Sequence, residues 1–105
     1  MKTRALSFNE QVWAATKKIP RGKVATYALI ARMIRNPRAV RAVGNALNKN
    51  PYAPKVPCHR VVRSDGHIGG FASGSTKKIR LLTEEGVLIR NGKVVDLTKC
   101  LITVS

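Results

Sequence analysis

The sequence predicts a mainly helical domain, a winged helix-turn-helix with a small β-hairpin wing, and three observations predict it. Two short helical patterns flank Asn36-Pro37, and Asn91-Gly92 lies between two apolar runs. The composition is 44% hydrophobic but only 5% aromatic, which gives a small aliphatic core. The 105 residues make one domain, 1–105, since typical domains hold roughly 100–150 residues.

The first helix is announced by Ser7-Phe8-Asn9-Glu10, the spacing of a capping box. Phe8, Val12 and Ala15 follow at i, i+4 and i+7 as its buried face, and the helix ends before Pro20. Arg21-Gly22-Lys23 reads as a turn and Val24-Ala25 as a brief extended piece. Thr26 caps a second helix over 27–34, stopped by Asn36-Pro37 because the residue before proline is pushed out of the α region. A third helix is expected over 38–48. Val40, Val43, Gly44 and Leu47 give it an apolar face, Arg38, Arg41, Asn45 and Asn48 a polar one, and Ala39, Ala42 and Ala46 small flanks. Two helices joined by a short turn, the second basic and amide-rich outside, form the helix-turn-helix pattern.

Residues 49–74 are rich in loop signals, with residues 56–62 extended in character and Ser64-Asp65-Gly66 a turn. A stretch this long marks a functional loop. A fourth helix over 76–85 is closed by Gly86. Residues 87–89 and 93–95 then flank Arg90-Asn91-Gly92 as a hairpin. The tail from Cys100 carries no signal.

Twenty Lys and Arg stand against five Asp and Glu, a formal charge of +15, so a polyanion is the expected partner and nucleic acid the first choice. No apolar run approaches the ~20 residues of a membrane span, and Met1-Lys2-Thr3-Arg4 leads into a polar helix rather than a secretory signal. Two cysteines without close pairing suggest free thiols. They do not pair with His59 and His67 in any zinc spacing, and no phosphate-cradling P-loop occurs. Neither metal nor cofactor is expected.

Cys58-His59 is the one place where a nucleophile and a base stand together. Thiolate is the reactive form, and His59, Arg60 and Arg63 could supply a cationic surround that favours it. Neighbours in an extended chain point to opposite faces, so either the backbone turns sharply here or a water bridges the two side chains. A structural cysteine beside a surface histidine is the plain alternative, and Cys100 is read that way. The fourth helix has Lys77, Lys78 and Arg80 near its start and Glu84 and Glu85 at its end, against the macrodipole. An i, i+4 pair with Arg80 accounts for Glu84. Glu85 has no such partner. A carboxylate that orients a catalytic histidine is one use for it, a solvated helix end the other.

Pro57-Cys58-His59-Arg60-Val61-Val62 resembles the active-site signature of the O6-alkylguanine-DNA alkyltransferases, the methylated-DNA–protein-cysteine methyltransferases. The stretch from Ile19-Pro20-Arg21-Gly22 to Thr26-Tyr27 resembles the family's approach to its first DNA-binding helix, and Arg41-Ala42-Val43-Gly44 with Asn50-Pro51 its recognition helix and turn. Gly66-His67-Ile68-Gly69-Gly70-Phe71 and Lys78 to Glu85-Gly86 resemble the pocket loop and closing helix.

The resemblance implies direct-reversal DNA repair, an irreversible single-turnover transfer of an alkyl group from O6 of guanine to Cys58. It implies that His59 acts as base through a water, oriented by Glu85, and that Tyr27 donates to the leaving guanine. Lys78 would support the pocket and Asn50 would tie down the turn carrying Cys58. Pro57, Val61, Phe71, Ala72 and Ser73 would line the pocket, with the Cys58 and Val61 carbonyls reading the guanine edge. Arg41, with Arg38, Ala42, Asn45, Tyr27 and Arg60, would meet double-stranded DNA in the minor groove, and Arg41 would replace the flipped nucleotide.

It further implies a monomer, placed in the cytoplasm at the nucleoid in a prokaryote or in the nucleus in a eukaryote. The family commonly has a separate N-terminal domain, so the chain reads as the catalytic and DNA-binding domain without it. Phe71 stands where many members have tyrosine, and Asn45 where a smaller residue is common. The rivals are an alkyltransferase-like protein, a class that lacks the acceptor cysteine, and a winged-helix DNA-binding protein in which Cys58 is only structural.

Overall fold

The computed structural model describes residues 6–53, 55–68 and 75–102. Phe71, Ala72 and Ser73, expected in a pocket, lie outside these residues. The described chain is helical with two small sheets. In order it forms α1 (Phe8–Lys17), β1 (Ala25–Thr26), α2 (Tyr27–Met33), α3 (Val40–Asn48), a 3-10 turn (Cys58–Arg60), β2 (Val61–Val62), α4 (Ser75–Glu84), β3 (Ile89–Arg90), β4 (Lys93–Val94) and α5 (Leu97–Cys100). None of the described helices is long and apolar enough to cross a membrane.

Local signals set most element ends. Ser7 and Glu10 make the reciprocal capping box at the start of α1, and the Thr26 hydroxyl accepts from the Leu29 amide at the start of α2. Helix α2 closes in a Schellman motif, with Arg35 N–H on Arg32 O and Asn36 N–H on Ala31 O. Arg35 takes the left-handed position there (φ 61°), so the chain leaves the helix before Pro37 has to stop it. The expected third helix begins two residues late, at Val40, with Ala39 as N-cap and no side-chain cap. Arg38 therefore precedes the helix. Val40 is 37% exposed rather than on the apolar face, and Ala46 is buried rather than on a flank.

Strands β1 and β2 pair in parallel, Ala25 with Val61 and Thr26 with Val62. A parallel pair needs a long crossover, supplied here by α2, α3 and the loop after them. Alternate residues of this short sheet face opposite ways. Ala25 and Val61 join a core with Val12, Ile19, Ile30, Val43 and Leu47 from the first three helices and the segment after α1. Val24 and Val62 join a second core with Ile68, Leu82, Val87 and Val94. Each fully buried aliphatic side chain contributes about 1.5–3 kcal/mol. The Trp13 indole donates to Ala46 O at 2.9 Å, locking α1 onto α3.

In the hairpin, β3 and β4 pair antiparallel, and Asn91 (φ 53°) and Gly92 (φ 74°) adopt the two left-handed positions of a type I′ turn, as their sequence implies. One expectation is corrected. Residues 56–62 are not one extended run: the 3-10 turn interrupts them, leaving only Val61–Val62 as strand. Beyond Cys100, where the sequence carries no signal, Leu101 pairs with Val24 and packs on the second core as α5 ends.

Candidate active site

The seam between the two cores gathers the chemistry-bearing residues. β1 delivers Tyr27 as the first residue of α2, and Cys58 lies three residues before β2, so the parallel pairing brings the two together. Both are partly buried against the first core.

The turn that carries Cys58 is shaped by its neighbours. Pro57 sits at φ −81°, ψ 70°, and Cys58 N–H donates to Val56 O at 2.8 Å, an inverse γ-turn suited to proline's fixed φ. Asn50 holds this turn from outside. Its Nδ2 donates to the same Val56 carbonyl at 2.8 Å, while its Oδ1 accepts from Tyr52 N–H at 2.9 Å. Arg60 N–H then closes the 3-10 turn on Pro57 O.

The backbone turns sharply at Cys58 and His59, within the 3-10 turn. Among the described residues no hydrogen bond joins the two side chains. His59 is buried, and its Nε2 lies 3.0 Å from Glu85 Oε2. Burial pushes the His59 pKa down, against the pull of Glu85, so the ring is neutral at pH 7. Burial opposes charge on Glu85, but hydrogen bonds from Arg60 and His59 outweigh it and hold its pKa below the usual range. An ionised carboxylate only accepts, so Nε2 carries the ring proton and Nδ1 keeps its lone pair for a base's work.

Glu85 is the C-cap of α4. Gly86 (φ 91°) and Val87 close the helix, with Gly86 N–H on Thr83 O and Val87 N–H on Leu82 O. The acids at this helix end are answered from across the fold. Arg21 donates to the Glu84 carbonyl at 3.0 Å, and Gly22 approaches so closely that an added Cβ would stand 3.3 Å from the Glu85 carbonyl. Arg80 and Glu84 also make the expected pair, at 4.0 Å.

Lys78 enters from α4. Its side chain is fully buried, and its Nζ donates to Val61 O at 2.7 Å and approaches Tyr27 OH at 3.5 Å. Desolvation pushes its pKa down to about 8, with the nearby Cys58 thiol pulling the other way. Burial raises the Tyr27 pKa, helped by Cys58 and opposed by Arg63. Tyr27, Val40, Arg63, Ser64 and Asp65 line an open cleft of about 360 Å³.

Several sequence expectations are relocated. Arg60, expected to meet a nucleic acid, turns inward, its guanidinium on Glu85 and on Ile19 O. The Val61 side chain is wholly in the core, and its carbonyl already accepts from Lys78. Pro57 is buried. Of Lys77 and Lys78, only Lys78 reaches the site; Lys77 is exposed. Arg41, Ala42 and Asn45 are exposed on α3, and Arg38 is exposed just ahead of it. Cys100 is half-buried and packs on the second core. The Ile19 carbonyl, Arg21 and Gly22 were not singled out as site residues. The unanswered charge of Glu85 was the signal that some basic group had to come to it.

A helical domain with a thiol beside a histidine–carboxylate pair, and a basic exposed helix nearby, defines the class. Residues 7–87 match the family described as 6-O-methylguanine DNA methyltransferase, DNA binding domain, and the chain belongs to that family. It is 52% identical over 79 residues to a methylated-DNA–protein-cysteine methyltransferase of Methanosarcina acetivorans, covering 75% of this chain and 51% of that protein. Mycobacterium tuberculosis OGT, crystallised in complex with DNA, superposes with a TM-score of 0.74 at 43% identity, over 78% of this chain and 51% of that one. S. pombe Atl1, crystallised with damaged DNA containing O6-carboxymethylguanine, superposes with a TM-score of 0.84 at 33% identity, over 97% of this chain and all of that one. The chain spans about half the length of the methyltransferase relative and the full length of Atl1.

Proposed function

We propose that this protein repairs O6-alkylguanine in double-stranded DNA by transferring the alkyl group to Cys58, once per molecule. The observation that carries the reading is the His59–Glu85 pair, in which His59 sits on the turn that presents Cys58 and Glu85 reaches it from the end of α4. In the reaction, neutral His59 takes the Cys58 proton through a bridging water. The sulfur then attacks the alkyl carbon; the S–C bond forms as the C–O6 bond breaks, and the electron pair stays on guanine. Tyr27 donates a hydrogen bond to the base as that charge develops. A thioether is a poor leaving group, so the protein is spent. No metal or cofactor enters these steps.

The target atom lies inside a duplex, so the nucleotide has to be flipped out, at a cost of a few kcal/mol. In this reading α2 and α3 act as a helix-turn-helix and the β3–β4 hairpin as its wing. Exposed Arg38, Arg41, Ala42 and Asn45 meet the minor groove, Arg41 fills the gap, and the cleft beside Tyr27 receives the base. The protein acts as a monomer, wherever the DNA is: the cytoplasmic nucleoid of a prokaryote or the nucleus of a eukaryote. Titration with a duplex bearing O6-methylguanine tests this, with one lesion lost per protein molecule as the expected stoichiometry. Lesions that persist under saturating binding overturn it.

The full-length correspondence with Atl1 favours a second reading, an alkyltransferase-like protein that binds lesions without transfer. Cys58, the acceptor such proteins lack, stands against it.

A further inference from the structure

Arg60 makes three side-chain hydrogen bonds near the thiol, and they point away from solvent. Its Nε donates to Glu85 Oε1 at 2.8 Å and its Nη2 to Glu85 Oε2 at 2.6 Å, a two-pronged grip on one carboxylate. The remaining Nη1 donates to Ile19 O at 2.7 Å, just past the end of α1. The Arg60 and Glu85 side chains are only 16% and 8% exposed. Glu85 Oε2 thus accepts from Arg60 and His59 together. Adjacent residues of a strand could not converge on one acceptor, but the tighter winding of the 3-10 turn allows it.

We propose that Arg60 is a positioning residue, whose guanidinium fixes the Glu85 carboxylate in the orientation that holds His59 as the base for Cys58, and anchors that carboxylate to the end of α1. The inference rests on the transfer reading above. A buried carboxylate bonded only to His59 could rotate about its last torsion and would draw a second proton onto the ring. The guanidinium removes both freedoms, because its planar fork takes both oxygens and its charge offsets that of Glu85. Among the described residues, the charged groups that act on this pair are Arg60 on the same turn and Lys78 from α4. Arg60 and Lys78 both act against protonation of His59. A lysine here would keep the charge but could not span both oxygens and the Ile19 carbonyl.

The test uses the full chain with Arg60→Met and Arg60→Lys, read by NMR titration of His59, by methyl transfer from an O6-methylguanine duplex across pH, and by affinity for that duplex. Arg60→Met should raise the His59 midpoint by about one pH unit and slow transfer near that midpoint about tenfold, with the acid limb moving up equally. Duplex affinity should stay as in the wild type. Arg60→Lys should restore most of the midpoint but not the rate, and it carries the test should Arg60→Met fail to fold. A wild-type midpoint and pH profile in Arg60→Met, full recovery of rate by Arg60→Lys, or a loss confined to affinity would each overturn the inference. Absence of transfer by the wild type would sink the proposed function instead, while the His59 midpoint still reports whether Arg60 governs the ring.

Discussion

The Glu85 carboxylate accepts a hydrogen bond at 3.0 Å from the imidazole of His59, 26 residues earlier in the chain. One residue ends a helix and the other lies in a 3-10 turn, and neither element alone would direct them together. The contact exists because Gly86 closes α4 at Glu85 and because β2 carries the turn into the seam between two cores. It couples stability to the state of the ring. Both groups have folded pKa values below their ordinary 6.5 and 4.5. Their contributions are therefore complete above those values and are lost as pH falls through the depressed folded ones. Thermal melts should show stability falling below pH 6.5 and falling further below 4.5. Glu85→Gln should cost about 3–5 kcal/mol at pH 7, as expected when one partner of a largely buried ion pair is removed. A variant as stable as the wild type would contradict the assigned role.

Asn50 holds the turn at Val56 and Tyr52 with its two amide ends. Asn50→Ala should lower stability by about 1–3 kcal/mol, since it removes two hydrogen bonds to backbone groups. It should also slow methyl transfer, measurable by single-turnover kinetics. Asn50→Asp keeps the acceptor for Tyr52 N–H and loses the donor to Val56 O, so it should fall between.

Lys78 is a buried amine whose pKa is pushed down to about 8 from 10.5. Between those values the unfolded chain holds the proton more often than the folded one, so stability gains from this group as pH rises. Denaturant melts of wild type and Lys78→Met should diverge in the wild type's favour from pH 8 to 10.5, by up to about 3 kcal/mol. A constant difference across that range would mean that the amine is not desolvated.

Much of this architecture was legible from local chemistry. The Ser7–Glu10 box, the Thr26 cap, Gly86 and Asn91-Gly92 each act within a few residues, and each element stands where those residues put it. The tail was not legible, because Leu101 gains its place by pairing with Val24 across the fold. The sequence shows residues 56–62 as extended and offers the turn at Cys58 only as one of two ways to place Cys58 and His59, because Asn50 shapes that turn from outside the segment. At the site, Cys58, His59 and Glu85 stood out by chemistry, His59 as a base next to a thiol and Glu85 as an acid at the wrong helix end. Arg60 reads from sequence as a DNA contact or as part of a cationic surround for the thiol, not as the partner of Glu85. Its partners, Glu85 and the Ile19 carbonyl, are 25 and 41 residues away, and no local pattern connects them.

Arg41 is exposed on α3, close to the turn that follows α2. If it fills the space of a flipped nucleotide, Arg41→Ala should reduce transfer from a lesion in duplex DNA far more than transfer from the free O6-alkylguanine base. Rates on the two substrates, measured side by side, decide the matter. Equal losses would assign Arg41 no part in flipping.

The central claim is that Cys58 is an alkyl acceptor served by His59 and Glu85. Intact-mass measurement after incubation with a duplex carrying O6-methylguanine tests it most directly. The account requires a gain of one methyl group, mapped by peptide analysis to Cys58 and not Cys100, and absent in Cys58→Ser while that variant still binds the duplex. An unchanged mass under saturating lesion binding would contradict it.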